Sequence, residues 1–190
     1  LAKLNILSFS GNTGLTNSTL QNIKFLPINI THSGQASLAS MTLSSQHEIS
    51  LEHGFQAGVE QQQTEIDVRI NQQEIISLHS MIAQLKNNIK VKEGYISANI
   101  EFTLPLEGEL FKTQGNLDFQ GVSLKYQDYV LNNITYQTPL RFDSAGLQLA
   151  ASTLHVDSID VGVMVEQFKA NIIAQNSVFR LTQVQGEIFN

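Results

Sequence analysis

The stretch "SIDVGVMVEQFKANI", residues 158–172, decides the fold. Ile159, Val161, Val163 and Val165 alternate with Asp160, Gly162, Met164 and Glu166, and then the parity slips so that Phe168, Ala170 and Ile172 carry the apolar pattern on even numbers. Period two is the mark of a strand with one apolar face. Neither side of this ribbon offers a reactive group, and the same texture extends outward along the chain.

Residues 49–60, "ISLEHGFQAGVE", set Ile49, Leu51, Phe55, Ala57 and Val59 against Ser50, Glu52, Gln56 and Glu60. Ile66, Val68 and Ile70 repeat the pattern, as do Ile96, Ala98, Ile100, Phe102 and Leu104, and then Leu117 with Phe119, Val122 with Leu124, Leu147 with Leu149, and Phe179 with Leu181. Breakers are expected at "SGNTG" (10–14), "HSG" (32–34), "LEGE" (106–109), "DSAG" (143–146) and "QNS" (175–177). Residues 47–60, read as one ribbon, would span roughly 45 Å at about 3.3 Å per residue. The parity slips near Asp157–Ser158 and Glu166–Gln167 predict bulges that curve the sheet. One stretch has helical spacing: Ile75, Leu78, Ile82, Leu85 and Ile89 predict a short amphipathic helix near 74–88.

The chain of 190 residues is 42% apolar and 15% charged, with a net charge of −6 and no basic stripe, which sets nucleic acid aside as a partner. It contains no cysteine, so disulfides, thiolate chemistry and Cys-based zinc sites are excluded. No apolar run approaches the roughly 20 residues of a membrane-spanning helix. The opening residues do not read as a signal peptide, and the first residue is Leu, so the chain is expected to be a piece of a longer protein with any anchor or export signal outside it.

Catalytic and metal chemistry find no support. His32, His47, His53, His79 and His155 form no HExxH or HxH pair; His53, between Leu51 and Phe55, reads as a strand-end histidine. Asp157 and Asp160 bracket the parity slip as a carboxylate pair would, but acids at a bend explain them more simply. Phosphate loops, nucleophile elbows and dinucleotide fingerprints are missing from the sequence. The Asn-x-Ser/Thr triplets at Asn17, Asn29 and Asn133 read as coincidence in a chain rich in those residues. No catalytic residue, metal ligand or cofactor is assigned.

Several pieces together resemble the YdbH-type proteins of the Gram-negative envelope, within the wider AsmA-like group. They are Gly121–Val122–Ser123–Leu124, "LHVDSIDVGVMVEQF" at 154–168, "FRLTQVQGEIFN" at 179–190, and "SLHSMIAQLKNNIKVKEGYISANIEF" at 77–102. The resemblance covers residues 66–190, while the first 65 match only in texture. The chain stops at Asn190, where the family pattern has a Gly-Gly and further strands.

The resemblance implies a non-enzymatic, mainly β protein of long antiparallel meander strands, forming a curled sheet with an open apolar groove plus one short helix. Residues 1–190 would be one elongated β domain of a longer periplasmic bridge that moves phospholipids between the inner and outer membranes. Its partners would be phospholipid acyl chains, the inner membrane through an anchor outside these residues, and optionally an outer-membrane lipoprotein. Groove positions are expected at Phe55, Val59, Val68, Ile70, Ile100, Phe102, Ile159, Val161, Val163, Val165, Phe168 and Ile172. A closed β-sandwich that binds a protein or spaces domains would show the same alternation with both apolar faces buried on each other. A glycan-active enzyme is the weakest reading, because nothing selects a carboxylate pair and no Trp is present to stack on a sugar.

Overall fold

A computed structural model describes residues 6–16, 19–20, 23–24, 27–51, 54–79, 89–105 and 112–189. The strands are β1 (Ile6–Leu15), β2 (Thr19–Leu20), β3 (Ile23–Lys24), β4 (Ile28–Ser37), β5 (Thr42–Leu51), β6 (Gln56–Gln62) and β7 (Glu65–Glu74). The short helix α1 (Ile75–His79) leads to β8 (Ile89–Thr103), β9 (Lys112–Tyr126), β10 (Tyr129–Asp143), β11 (Gly146–Asp160), β12 (Met164–Gln175) and β13 (Val178–Phe189). Eleven strands form one antiparallel sheet in the order β1-β4-β5-β6-β7-β8-β9-β10-β11-β12-β13, while β2 and β3 pair separately. This is the expected meander. It is a single open layer: β1 and β13 are its free edges and do not meet.

The predicted helix is present at Ile75–His79, and its remaining span, 80–88, lies outside the described residues. "LEGE" lies there too, as does His53. "DSAG" and "QNS" are turns, as expected: the Ala145 N–H donates to Asp143 Oδ1 at 2.9 Å, and Asn176 and Ser177 both take positive φ (52° and 62°) in a two-residue hairpin loop. "SGNTG" and "HSG", by contrast, lie inside β1 and β4. Their glycines sit where neighbouring side chains crowd: a methyl on Gly34 would strike the Phe9 ring, and one on Gly11 the His32 ring.

Two expected ribbons turn out to be hairpins. Residues 47–60 reverse between Leu51 and Gln56, with the Gly54 N–H donating to Leu51 O at 3.2 Å and the Leu51 N–H to Phe55 O at 2.9 Å. Residues 158–172 reverse at 161–163, where Gly162 takes φ 91° and its N–H donates to Asp160 Oδ1 at 3.0 Å. Val161 and Val163 therefore belong to a bend, each 45% exposed, and not to a strand wall.

β8 to β11 each run fifteen residues, about 50 Å at roughly 3.3 Å per residue. They are creased along one line. Gly94 (φ 114°), Gly121 (φ 62°), Asn133 (φ 52°) and Gln167 (φ 50°) occupy β8, β9, β10 and β12. The register breaks beside each of them. On β11, Asp157 completes the line opposite Gln167 and accepts from Asn133 Nδ2 at 2.6 Å, while the Asn133 N–H donates to Ser123 Oγ at 3.1 Å. Left-handed backbone at a non-glycine residue costs about 1–2 kcal/mol, which these hydrogen bonds help to offset at Asn133. Bulges sharpen local twist and bend the strand. Because the bulges fall in line on adjacent strands, the bends add up to a curl whose axis crosses the strands. The parity slips at 157–158 and 166–167 were the trace of this line.

Candidate functional site: an apolar trough

Directly opposed residues on antiparallel neighbours share a face, so the register assembles the faces row by row. One row reads His32, His47, Val59, Val68, Ile100, Gly115, Leu140, Leu149 and Ala174 from β4 to β12. Across the crease, another reads Val122, Ile134, Val156 and Phe168. Nearer the ends of β9 to β13 runs Leu124, Leu131, Ile159, Val165 and Ile188.

The other face is hydrophilic. Its residues meet across strands through side-chain hydrogen bonds: Gln114 Nε2 to Glu101 Oε2 at 2.7 Å, Asn132 Nδ2 to Ser158 Oγ at 2.9 Å, and Asn171 Nδ2 to Gln183 Oε1 at 2.7 Å. The sparse charge and abundant Gln, Asn, Ser and Thr of the sequence find their use here. Arg69 and Glu60 also pair on this face at 3.6 Å, an exposed contact worth little. Two depressions of about 570 and 520 Å³ are lined chiefly by such hydrophilic positions, Ser8, Ser33 and Gln46 in one and Thr31, Glu48 and Gln56 in the other; Phe9 and Ser45 also border the first, and His32, His47 and Val59 of the apolar row border the second.

Burial distinguishes the two faces. Val156 is 2% exposed, Ala170 1% and Thr138 0%, all on the apolar side, while Gln137, Thr153, His155 and Lys169 on the other side are exposed. A flat single layer would leave both faces equally wet. β13 is exposed along its whole length, Leu181 at 59% and Ile188 at 69%, but from β10 to β12 the apolar side is the more buried one, the floor of a candidate trough. Ten strand spacings of about 4.8 Å give it a length of roughly 48 Å across the strands.

Each anticipated groove residue can now be placed. Val59, Val68 and Ile100 stand side by side in one row, with Ile66 and Phe102 in the next and Ile70 opposite Ala98. Ile159 faces Val165, Phe168 faces Val156, and Ile172 faces Leu181 on β13. Phe55 is buried in a cluster with Leu51 and Ala57 that Leu78 of α1 packs against. Val161 and Val163 sit in the bend, as described. Leu131, Leu140 and Leu154 were not anticipated, and Leu117 and Leu149 were read as strand positions without being named for the groove; all five lie on the apolar face, and the signal was their alternation within β9–β11.

The remaining polar candidates have structural partners. Asp157 receives Asn133 and Asp160 receives the Gly162 N–H. His155 lies on the hydrophilic face opposite Thr135 and Lys169. Among the described residues no three His, Asp or Glu side chains gather as metal ligands would, and no helix is long and apolar enough to cross a membrane.

A family model described as YdbH-like, intermembrane phospholipid transport protein YdbH, matches residues 3–190. The chain belongs to the YdbH-like family. The match extends well beyond the 66–190 segment whose motifs carried the resemblance, and takes in β1 to β6. Membership makes it a chain of the envelope phospholipid-transport class. No curated protein and no solved structure was found to match it.

Proposed function

We propose that this YdbH-like chain holds phospholipid acyl chains against its apolar trough and passes them along the rows, as one periplasmic segment of a longer bridge between the inner and outer membranes. The single observation that supports this reading is the run of apolar rows from β6 to β12 on one face of an eleven-stranded sheet, with nothing larger than the short helix α1 over it among the described residues. Apolar patches beyond a few hundred Å² on a protein in water usually mark a ligand or partner site. Acyl chains suit such a surface because each buried methylene contributes about 0.8 kcal/mol without any directional contact. Sliding across equivalent rows then changes the energy little, which transport requires. The sandwich alternative would need a covering sheet, and β2–β3, with two residues per strand, is too small to be one.

Native mass spectrometry of the purified chain tests this. Adducts with phospholipid masses, recoverable by organic extraction, are the expected result. A chain that stays bare after incubation with phospholipid vesicles contradicts the proposal.

A further inference from the structure

Toward β1 the trough changes character. Beyond Val59 the row continues with His47 on β5, His32 on β4 and Gly11 on β1. The two imidazole centroids lie 6.1 Å apart with the rings tilted by 48°. Ser45, only 5% exposed, places its Oγ 2.9 Å from His47 Nε2. Gly11 leaves open the floor that His32 leans over, since a methyl there would come within 2.8 Å of His32 Nε2.

No charge faces this pair on the apolar side. Its surroundings there are Phe9 and Thr13 on β1, Ile30 and Gly34 on β4, Ile49 on β5, and Ala57 and Gln61 on β6. The nearby charged side chains Glu48, Glu60, Asp67 and Arg69 occupy hydrophilic-face positions. On the apolar positions of β1, β4, β5, β6 and β7, His32 and His47 are the only titratable side chains. Two imidazoles without a carboxylate in an apolar wall are poorly placed as structural elements. They are well placed to receive an anion, because an imidazole always carries one N–H donor and carries two once protonated.

We infer that His32 and His47, with Ser45 positioning the second ring, form a station for the phosphodiester headgroup of a glycerophospholipid. The acyl chains then lie over Val59, Val68 and Ile100, the next positions of the same row. One phosphate between the two rings, in reach of an in-plane N–H of each, accepts a hydrogen bond from both, and such bonds strengthen when the donor is charged. This assignment rests on the trough reading and adds a place where a lipid pauses in one register.

The test uses the lipid-stripped chain with pyrene-labelled phosphatidylglycerol and the matching diacylglycerol, both delivered from cyclodextrin. Protonation adds the attracting charge, so phosphatidylglycerol affinity is expected to be at least about ten-fold higher at pH 5.5 than at pH 8. Diacylglycerol binding should be the same at both. In a chain carrying H32Q and H47Q, with its melting curve checked, the pH dependence should vanish while diacylglycerol binding persists; the pH series on the unsubstituted chain stands even where the variant fails to fold. Phosphatidylglycerol binding that is flat with pH overturns the station and leaves the trough intact. Absence of binding by either lipid overturns the trough itself. Inorganic phosphate binding alone with the same pH dependence and affinity assigns the pair to a free anion and overturns the headgroup assignment.

Discussion

Val156→Asp is expected to lower the melting temperature by roughly 10 °C or more. Val156 is 2% exposed and sits between Ile134 on β10 and Phe168 on β12, at the crease where the curl is set. The substitution removes an apolar side chain worth about 1.5–3 kcal/mol when buried. It also asks a carboxylate to sit without a partner in an apolar environment, a further cost of several kcal/mol unless it protonates. A total near 3 kcal/mol or above corresponds to about 6–12 °C or more for a chain of this size. Thermal unfolding followed by circular dichroism reads it. An unchanged melting temperature would mean that the apolar face is open to water at Val156, and that the crease does not close around it.

Val68→Asp is expected to behave in the opposite way. Val68 is half-buried in the trough wall between Val59 and Ile100, where the face is not covered by a second layer. Its carboxylate can keep water in the empty trough, so the melting temperature should fall by no more than about 5 °C, in the range of an ordinary point substitution. Lipid binding should suffer far more. A charge that keeps about three methylenes off the wall forfeits about 2.4 kcal/mol, which is about 50-fold in affinity. Acyl-chain photocrosslinking alongside melting measures both effects. Loss of folding without a separable loss of lipid would make Val68 a core residue.

The contrast between these substitutions follows from what alternation reveals and what it conceals. Ile66, Val68, Ile70 and Ile96 to Phe102 announced strands with one apolar side, and the slips at 157–158 and 166–167 announced the curvature. The reversals between Leu51 and Phe55 and at 161–163, three residues each, were hidden for a geometric reason. A hairpin loop with an odd number of residues pairs positions of equal parity, as Ile159 with Val165 and Ile49 with Ala57, so the alternation passes through the turn unbroken. Two-residue loops pair positions of opposite parity, as Tyr126 with Tyr129 and Gln175 with Val178, and these show as slips. Gly54 and Gly162 were the only marks of the hidden turns. The glycines of β1 and β4 misled in the other direction, because close packing by Phe9 and His32 resembles a break in composition alone. His32 and His47 were legible as histidines but not as a pair, since only the β4–β5 register brings them together.

The central claim is that one face of the sheet carries lipid and the other does not, and a face-paired crosslinking scan tests it most directly. A photoreactive amino acid is placed in turn at Val68, Ile100 and Leu140, then at their hydrophilic-face neighbours Arg69, Asn99 and Arg141, in the chain expressed with its native lipids. Phospholipid adducts at the first three positions and none at the second three are the predicted result. Equal labelling on both faces, or adducts confined to Arg69, Asn99 and Arg141, would contradict it.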